Sequence, residues 1–387
     1  MVTVLVFAAT LAAAVLLSQL AHRTVLSTAV LFLVVGFVVG PGVAHIVSVT
    51  ARQPELHNLA LLALFSVLFT DGMAAGVGEL RRAWRLPGRA LLVGLPLTLL
   101  VLALFARYLG GLDWTDAFLL GAVLSPTDPV FAAAIVGRNE VPARLRQLLN
   151  VESGLNDGLA LPIVVVLLAV SSSGPLDAPR LAGDLALGIA LGLVVPWAFI
   201  SLERSKRFSA SAQYEPLGLF AVGVGLLALC EVTGANPFLA AFVGGITVAS
   251  VSPHARDAFH RFGELITELL KLAALLAFGA LVTPTLLANV GVSGWAFAIS
   301  AIVVARPVGI GLSLHRSTLG WREQAAAAWF GPKGFASVVY GLMVLESSDK
   351  SAEHIFVLSV ITVAISIVAH SSSDVLVAQW LEPNDQT

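Results

Sequence analysis

The sequence predicts an all-α polytopic membrane protein with about 13 transmembrane helices, and three observations carry that prediction. Of its 387 residues, 57% are hydrophobic and only 12% are charged, about half the charged share of a soluble domain. Long apolar runs recur from end to end, each able to cross a hydrocarbon core that takes about 20 helical residues. None alternates with the two-residue period of a membrane β-strand, and in lipid only helices and closed barrels satisfy their own peptide groups.

Spans fall near residues 2–19, 24–40, 58–77, 88–107, 114–137, 142–170, 183–203, 213–233, 236–251, 260–284, 291–314, 323–347 and 353–379. The first has no Lys or Arg before it, so it reads as a span and not as a secretory signal. No long hydrophilic stretch occurs, so residues 1–387 are expected to form one transmembrane domain with no appended soluble domain. The formal charge of -2 gives no reason to expect a nucleic-acid partner, and Cys230 alone cannot form an internal disulfide.

Orientation follows from the basic residues. Most of the 22 Lys and Arg fall in one alternate set of loops, Arg81, Arg82, Arg85, Arg138, Arg204 and Arg256 among them, whereas the other set holds Arg52, Arg107, Arg180 and Lys350. By the positive-inside rule the first set faces the cytoplasm. An odd number of spans then puts the N-terminus outside and the C-terminus inside.

Two spans contain helix breakers. The fifth carries Pro126 and Pro129 around Thr127-Asp128, and the twelfth carries Gly331-Pro332-Lys333-Gly334. Proline removes a backbone donor and glycine lets the chain unwind. Interrupted helices at corresponding places in two halves point to inverted repeats that meet at a midplane binding site. The glycine pairs Gly36/Gly40 and Gly188/Gly192 have the small-xxx-small spacing of a packing or dimer face.

Ionisable residues inside a membrane cost about 3 kcal/mol each on insertion scales and are read as functional. The run Val151–Gly158, V-E-S-G-L-N-D-G, puts Glu152 and Asn156 one helical turn apart, and Ser153 and Asp157 likewise. With the helix starting near Pro142, Asp157 lies about 22 Å along it, close to mid-bilayer. Asp71, Asp128, Arg306 and Lys333 complete the intramembrane set. The carboxylates of Asp71, Asp128 and Asp157, the hydroxyls of Thr127 and Ser153, and carbonyls freed at the fifth-span break are hard oxygen donors suited to a small alkali cation. Asp71 has a second reading as a helix cap. Glu152 and Arg306 suit a bidentate pair. Lys333 either steadies carbonyls at its break or titrates. Lys271, which follows Glu264 and Glu268, reads as a snorkelling surface pair near the cytoplasmic end. His22, His254, His260 and His315 fall in cytoplasmic loops.

The run G-A-V-L-S-P-T-D-P-V from Gly121 to Val130, followed by V-P-x-R-L-R-x-L-L-N-V-E-S-G-L-N-D-G from Val141 to Gly158, resembles the monovalent cation:proton antiporters of the NhaP and sodium/proton-exchanger type. Thr127-Asp128-Pro129 matches their T-D-P break, and Glu152-Ser153-Asn156-Asp157 their E-S-x-x-N-D helix. Leu68–Gly72 is similar to the acidic third-span motif, with Asp71 where glutamate is usual. Ala305-Arg306-Pro307 matches the buried arginine, and Phe330–Gly334 a G-x-R-G break in which Lys333 replaces the arginine.

The resemblance implies a homodimer in the cell (inner) membrane, with a dimerisation domain and a core domain that alternates between inward-facing and outward-facing states. It implies that Asp157 binds Na⁺ or K⁺ in competition with a proton, with Asp128, Thr127, Ser153 and Asp71 around the ion, and that Asn156 and Glu152 are tied to Arg306. No cofactor is expected, and exchange needs no enzyme chemistry. Because Asn156 precedes Asp157 and an amide holds no titrating proton, one-for-one exchange is expected. Two other classes use the same residues. One is a cation channel. The other is an intramembrane hydrolase built on Ser153, for which no midmembrane His is placed as base.

Overall fold

The computed structural model describes residues 1–21, 28–51, 53–74, 84–128, 141–172, 176–205, 211, 214–347 and 350–381. Among these residues every regular element is a helix. The elements are α1 (Val2–Ala21), α2 (Thr28–Val39), α3 (Pro54–Ala74), α4 (Arg85–Tyr108), α5 (Trp114–Leu124), α6 (Ala143–Ser171), α7 (Ala178–Glu203), α8 (Glu215–Thr233), α9 (Pro237–Val251), α10 (Pro253–Leu281), α11 (Pro284–Asn289), α12 (Val292–Ser313), α13 (Trp321–Trp329), α14 (Phe335–Glu346) and α15 (Ala352–Leu381).

Seven of these are long and apolar enough to cross a membrane, and five shorter apolar helices stand beside them. The protein is a multi-pass membrane protein. Each span placed from the sequence overlaps a described helix, although the second half of the fifth, with Pro129, lies outside the described residues. Among the shorter helices, α5, α9 and α14 are largely buried, whereas α1 is exposed along much of its length. α9 has 15 residues and rises only about 22 Å, less than a hydrocarbon core, and it packs between α3, α7 and α8.

Helix starts follow local chemistry. Asp113 Oδ1 accepts from the Asp116 amide at 3.0 Å to open α5. Asn236 Oδ1 takes the Leu239 amide at 2.8 Å ahead of the Pro237 that begins α9. Each cap satisfies one of the donors a helix start leaves free.

The helices pack in two groups. In the first, α3 and α7 flank α9, α10 lies on α2 and α3, and α1 and α8 pack outside. In the second, α4 lies along α5 and α12, α5 along α6, and α14 along α15. α3 and α9 meet α6, and α3 and α10 meet α14, where the groups join.

Glycine makes the first group tight. A Cβ on Gly36 or Gly40 would strike the backbone of Leu276 or Ala280 on α10, and one on Gly279 the backbone of Leu33 on α2. Gly188 and Gly192 face the Asn236 and Ala240 carbonyls of α9 in the same way. Both small-xxx-small pairs are therefore internal packing faces, and the dimer-face alternative is corrected at them. The outer helices turn apolar side chains outward, as Leu193, Val194 and Trp197 on α7 and Val224 and Val232 on α8 do, which suits contact with lipid.

α4 and α12 each contain one π-turn, Ala90–Gly94 and Ala301–Ala305, and the two helices lie against each other. A π-turn is rare and marks a local departure from the α-helical ladder. The π-turn of α4 ends where small residues bring the helices together, since a Cβ on Gly309 would meet Thr98 and the Gly94 carbonyl.

Replacing Gly279 by Leu forces α2 and α10 apart and is expected to cost about 3 kcal/mol or more, the upper end of overpacking effects. Gly225 on α8 has open space around it, so Gly225→Ala should leave stability unchanged or raise it by up to about 1 kcal/mol. Thermal unfolding of the purified variants in detergent checks the contrast, and equal midpoints would remove the close approach.

Candidate functional site

After α5 the chain leaves the helix at Ser125–Asp128, and between α13 and α14 it leaves it again at Phe330–Gly334. The two irregular stretches hold one another. The Asp128 amide donates to the Pro332 carbonyl at 2.9 Å, and Asp128 Oδ2 accepts from the Phe335 amide, the first of α14, at 3.1 Å. Asp128 thus caps α14 from across the break. The approach needs Gly334, because a Cβ there would occupy the space of the Asp128 carboxyl group.

α6 supplies the facing wall. Asn156 Nδ2 donates to Thr127 Oγ1 at 2.6 Å, and the Thr127 and Ser153 hydroxyls lie 3.3 Å apart. Asn156 is therefore tied to the unwound Thr127 and not to Arg306. The expectation that it joins Glu152 on that arginine is corrected, because Asn156 stands on the side of α6 that faces the break. Glu152 alone meets Arg306, in a bidentate pair at 2.6 and 2.8 Å. Arg306 also donates to the Ala327 carbonyl near the end of α13, at 3.2 Å. Its stem fills the place a Cβ on Gly331 would need. Both partners are about 95% buried, and the planar guanidinium suits such a fork.

Lys333 is fully buried. Its amide donates to Ser366 Oγ on α15 at 2.7 Å, and its ammonium reaches the Ser125 carbonyl at the end of α5, at 3.4 Å. That geometry matches the carbonyl-steadying alternative, with the side-chain nitrogen donating at a helix C-terminus.

Asp157 is 3% exposed. Its backbone carbonyl accepts from Tyr340 Oη at 3.0 Å, and among the described residues its Oδ1 has no hydrogen-bond partner. It lines a cavity of about 670 Å³ together with Asp71, Asp128 and Gly154, which continues past Glu268 and Lys271 to Arg256, His260 and Arg261 at the start of α10. Asp71 lies inside α3, three residues before the last described residue of that helix. It is part of the cavity wall, and the helix-cap alternative does not hold. Among the described residues no group of three His, Cys, Asp or Glu is close enough to hold a metal ion, so the carboxylates surround the cavity without converging.

Sequence reasoning misplaced Lys271 as well as Asn156. Lys271 is 5% exposed and its ammonium lies 3.2 Å from Asp128 Oδ1, so it is no surface pair with the acids of its own helix. The signal was its depth, about 16 Å into a span that begins near residue 260. Tyr340 and His370 were also missed. His370 is buried, with Nε2 3.0 Å from the Trp329 carbonyl and Nδ1 2.7 Å from that of Ser366. A buried histidine does exist, then, but a neutral imidazole donates through one nitrogen only, and with Nε2 against Trp329 and Nδ1 beside both the carbonyl and the hydroxyl of Ser366, at 2.7 and 3.1 Å, neither nitrogen meets Ser153.

The family model for the transmembrane sodium/hydrogen exchanger matches residues 7–379. The chain belongs to this family. It is a family of transporters and not of enzymes. The K⁺/H⁺ antiporter NhaP2 of Shewanella baltica is 25% identical over 372 residues, covering 94% of this chain and 64% of the relative. The chain therefore spans less than two thirds of that relative's length. Na⁺/H⁺ antiporter 1 of Methanocaldococcus jannaschii is 23% identical over 351 residues, covering 87% of this chain and 82% of the relative. The structure of the sodium proton antiporter MjNhaP1 from the same organism at pH 8 superposes with a TM-score of 0.80 at 19% identity, covering 99% of this chain and 98% of that one. This chain shares its fold.

Breaking the Glu152–Arg306 pair leaves one buried charge alone, which costs about 3–5 kcal/mol. Either Glu152→Gln or Arg306→Gln should lower the unfolding midpoint sharply. The double variant should recover part of the loss. Strictly additive losses in the double-mutant cycle would contradict the contact.

Proposed function

We propose that this chain exchanges a monovalent cation, Na⁺ or K⁺, for a proton across the cell membrane by alternating access, and so serves pH and cation homeostasis. The observation that carries the reading is the Asp157 carboxylate, buried at the wall of a cavity with one oxygen left without a hydrogen bond among the described residues. A buried anion without a full set of partners is costly, and either a proton or a cation relieves that cost. The family match and the names of the two relatives agree with it.

In this mechanism the ionised Asp157 takes the cation. Asp128, Thr127, Ser153 and Asp71 supply further oxygens, and the Thr127 hydroxyl keeps a lone pair for the ion while it accepts from Asn156. Protonation of Asp157 removes the charge that holds the cation, and the site crosses back carrying the proton. Glu152, Arg306, Asn156 and Lys333 are supporting residues that fix α6 against the two breaks.

The finer architecture belongs to the same proposal. The thirteen spans form two inverted repeats, with the breaks in the fifth and twelfth spans crossing each other. The bond from Asp128 to Pro332 and the matched π-turns of α4 and α12, which also stand seven spans apart, support this symmetry. The first helix group is the dimerisation scaffold of a homodimer and the second is the moving core. The N-terminus faces outside and the C-terminus the cytoplasm, as the basic loops indicate, so the cavity opens inward past Arg256 and Arg261. Residues 1–387 act as one transport domain.

Replacing Asp157 by Asn should abolish cation-driven proton movement in liposomes loaded with a pH dye, while the unfolding midpoint and detergent elution stay those of a folded protein. Full exchange rates in the folded variant would sink the assignment.

Exchange should also be electroneutral, one cation for one proton. Asn156 holds no titrating proton, Arg306 stays charged, and a lysine that keeps its proton through the cycle moves no net charge between the two loaded forms. Rates of Na⁺-driven exchange measured at several potentials set by gradients of the permeant anion thiocyanate, with no K⁺ gradient present, should coincide. A rate or reversal point that moves with voltage would refute one-for-one exchange and point to proton release from Lys271 or Lys333.

A further inference from the structure

We propose that Lys271 is a resident cation of the transport site, holding on its tether the place beside Asp128 that a transported cation must take. Loading the site then means displacing the ammonium. The inference rests on the exchange reading above and deepens it.

The geometry is that of a competitor. Lys271 Nζ lies 3.2 Å from Asp128 Oδ1 with both side chains more than 90% buried, and both residues line the cavity that Asp71 and Asp157 share. An ammonium carries the same single positive charge as Na⁺ or K⁺ and satisfies the same carboxylate. It differs in being covalently attached. The cavity also gives it somewhere to go, because Glu268, one turn earlier on α10, lines the same space. The acids that line the cavity with Lys271 are Asp71 from α3, Asp128 at the break, Asp157 from α6, and Glu264 and Glu268 from α10 itself, and Arg256, His260 and Arg261 from α10 line it as well. The other two intramembrane cations are held elsewhere, Arg306 by Glu152 and Lys333 by the Ser125 carbonyl.

The pair also spans the two helix groups, since α10 belongs to the first and Asp128 to the second. While no cation is present, the ammonium ties the acid side of the break to α10. An arriving cation replaces it on the same oxygen. No proton leaves Lys271 in this scheme, so the charge count of one-for-one exchange is unchanged. What changes is affinity, because only the fraction of molecules with the pair open can accept the ion, and the apparent constant is weakened by that fraction.

The test is the apparent KM for Na⁺ and for K⁺ at fixed pH in proteoliposomes, for the wild type, Lys271→Gln and Lys271→Arg. With the pair open about a tenth of the time, Lys271→Gln should lower KM about tenfold. Lys271→Arg keeps the charge and should hold KM at or above the wild-type value. A purely structural ion pair predicts the reverse for Lys271→Gln, a lower rate with KM unchanged or raised, and that result in a folded variant would overturn the proposal.

A measurement on the wild type alone covers the case in which Lys271→Gln does not fold. Acetylation of Lys271 by acetic anhydride, followed by mass spectrometry, should be faster in NaCl or KCl than in choline chloride at equal ionic strength. Equal rates would overturn the proposal as well. The two levels separate cleanly: a wild type without cation-driven proton movement fails the exchange reading, whereas a wild type that exchanges ions but shows neither effect fails this inference alone.

Discussion

A peptide group released from its helix inside a membrane has no water to turn to, and this constraint organises the centre of the molecule. The chain breaks twice at membrane depth, and each break supplies partners for the other. The Asp128 amide is satisfied by the Pro332 carbonyl, and the first amide of α14 by the Asp128 carboxylate. Side chains reaching in from α6, α12 and α15 meet further polar groups around the breaks: Asn156 at the Thr127 hydroxyl, Arg306 at the Ala327 carbonyl, Ser366 at the Lys333 amide and His370 at the Trp329 carbonyl. Gly331 and Gly334 are part of the same arrangement, since any side chain there would displace Arg306 or Asp128. Two unwound segments can therefore persist in lipid because they persist together.

The buried charges divide into those that are closed and those that are open. Glu152 and Arg306 close on each other through two hydrogen bonds, in a geometry that leaves neither carboxylate oxygen without a donor. Such a pair contributes little net stability against an apolar substitute, but it fixes the rotation of α6 relative to α12 because losing either half is so costly. Asp71 and Asp157 lie on the cavity wall instead. A carboxylate that can exchange partners must have incomplete bonding in some state, and the structure keeps that property on the side of α6 that turns toward α3 and α10. The closed pair holds the helix while the open acids face the cavity.

Much of this was legible in the sequence. Apolar length marked the helices, Pro126, Gly331 and Pro332 marked the irregular stretches, and the four-residue spacings of Glu152 to Asn156 and Ser153 to Asp157 placed polar groups in two rows along α6. Spacing within one helix, however, says nothing about what stands opposite. Asn156 was expected on Arg306 and is on Thr127, since the pairing depends on how far α6 rotates against a break 29 residues away in sequence. Lys271 was assigned to its nearest acids along the chain, whereas its partner is 143 residues distant. The glycine pairs at 36/40 and 188/192 showed that some helix came close, and only the fold showed which.

The amide at position 156 also shows how the site limits its own charge. A carboxylate in that place would be an acceptor where the structure needs a donor. Thr127 Oγ1 would then have to donate to it, and the Thr127 hydroxyl hydrogen would no longer be available to Ser153, 3.3 Å away. A second effect is electrostatic. Residue 156 adjoins Asp157 in the chain and stands one turn from Glu152, so a third acid on this stretch of helix would face repulsion in a medium that screens charge poorly. One of the three would be driven to hold a proton, and the Glu152 carboxylate, committed to both guanidinium nitrogens of Arg306, would resist being that one. An asparagine avoids the conflict by donating to Thr127 while adding no charge. The helix then presents one closed acid and one open acid on opposite sides, and the open one is free to be satisfied by whatever enters the cavity.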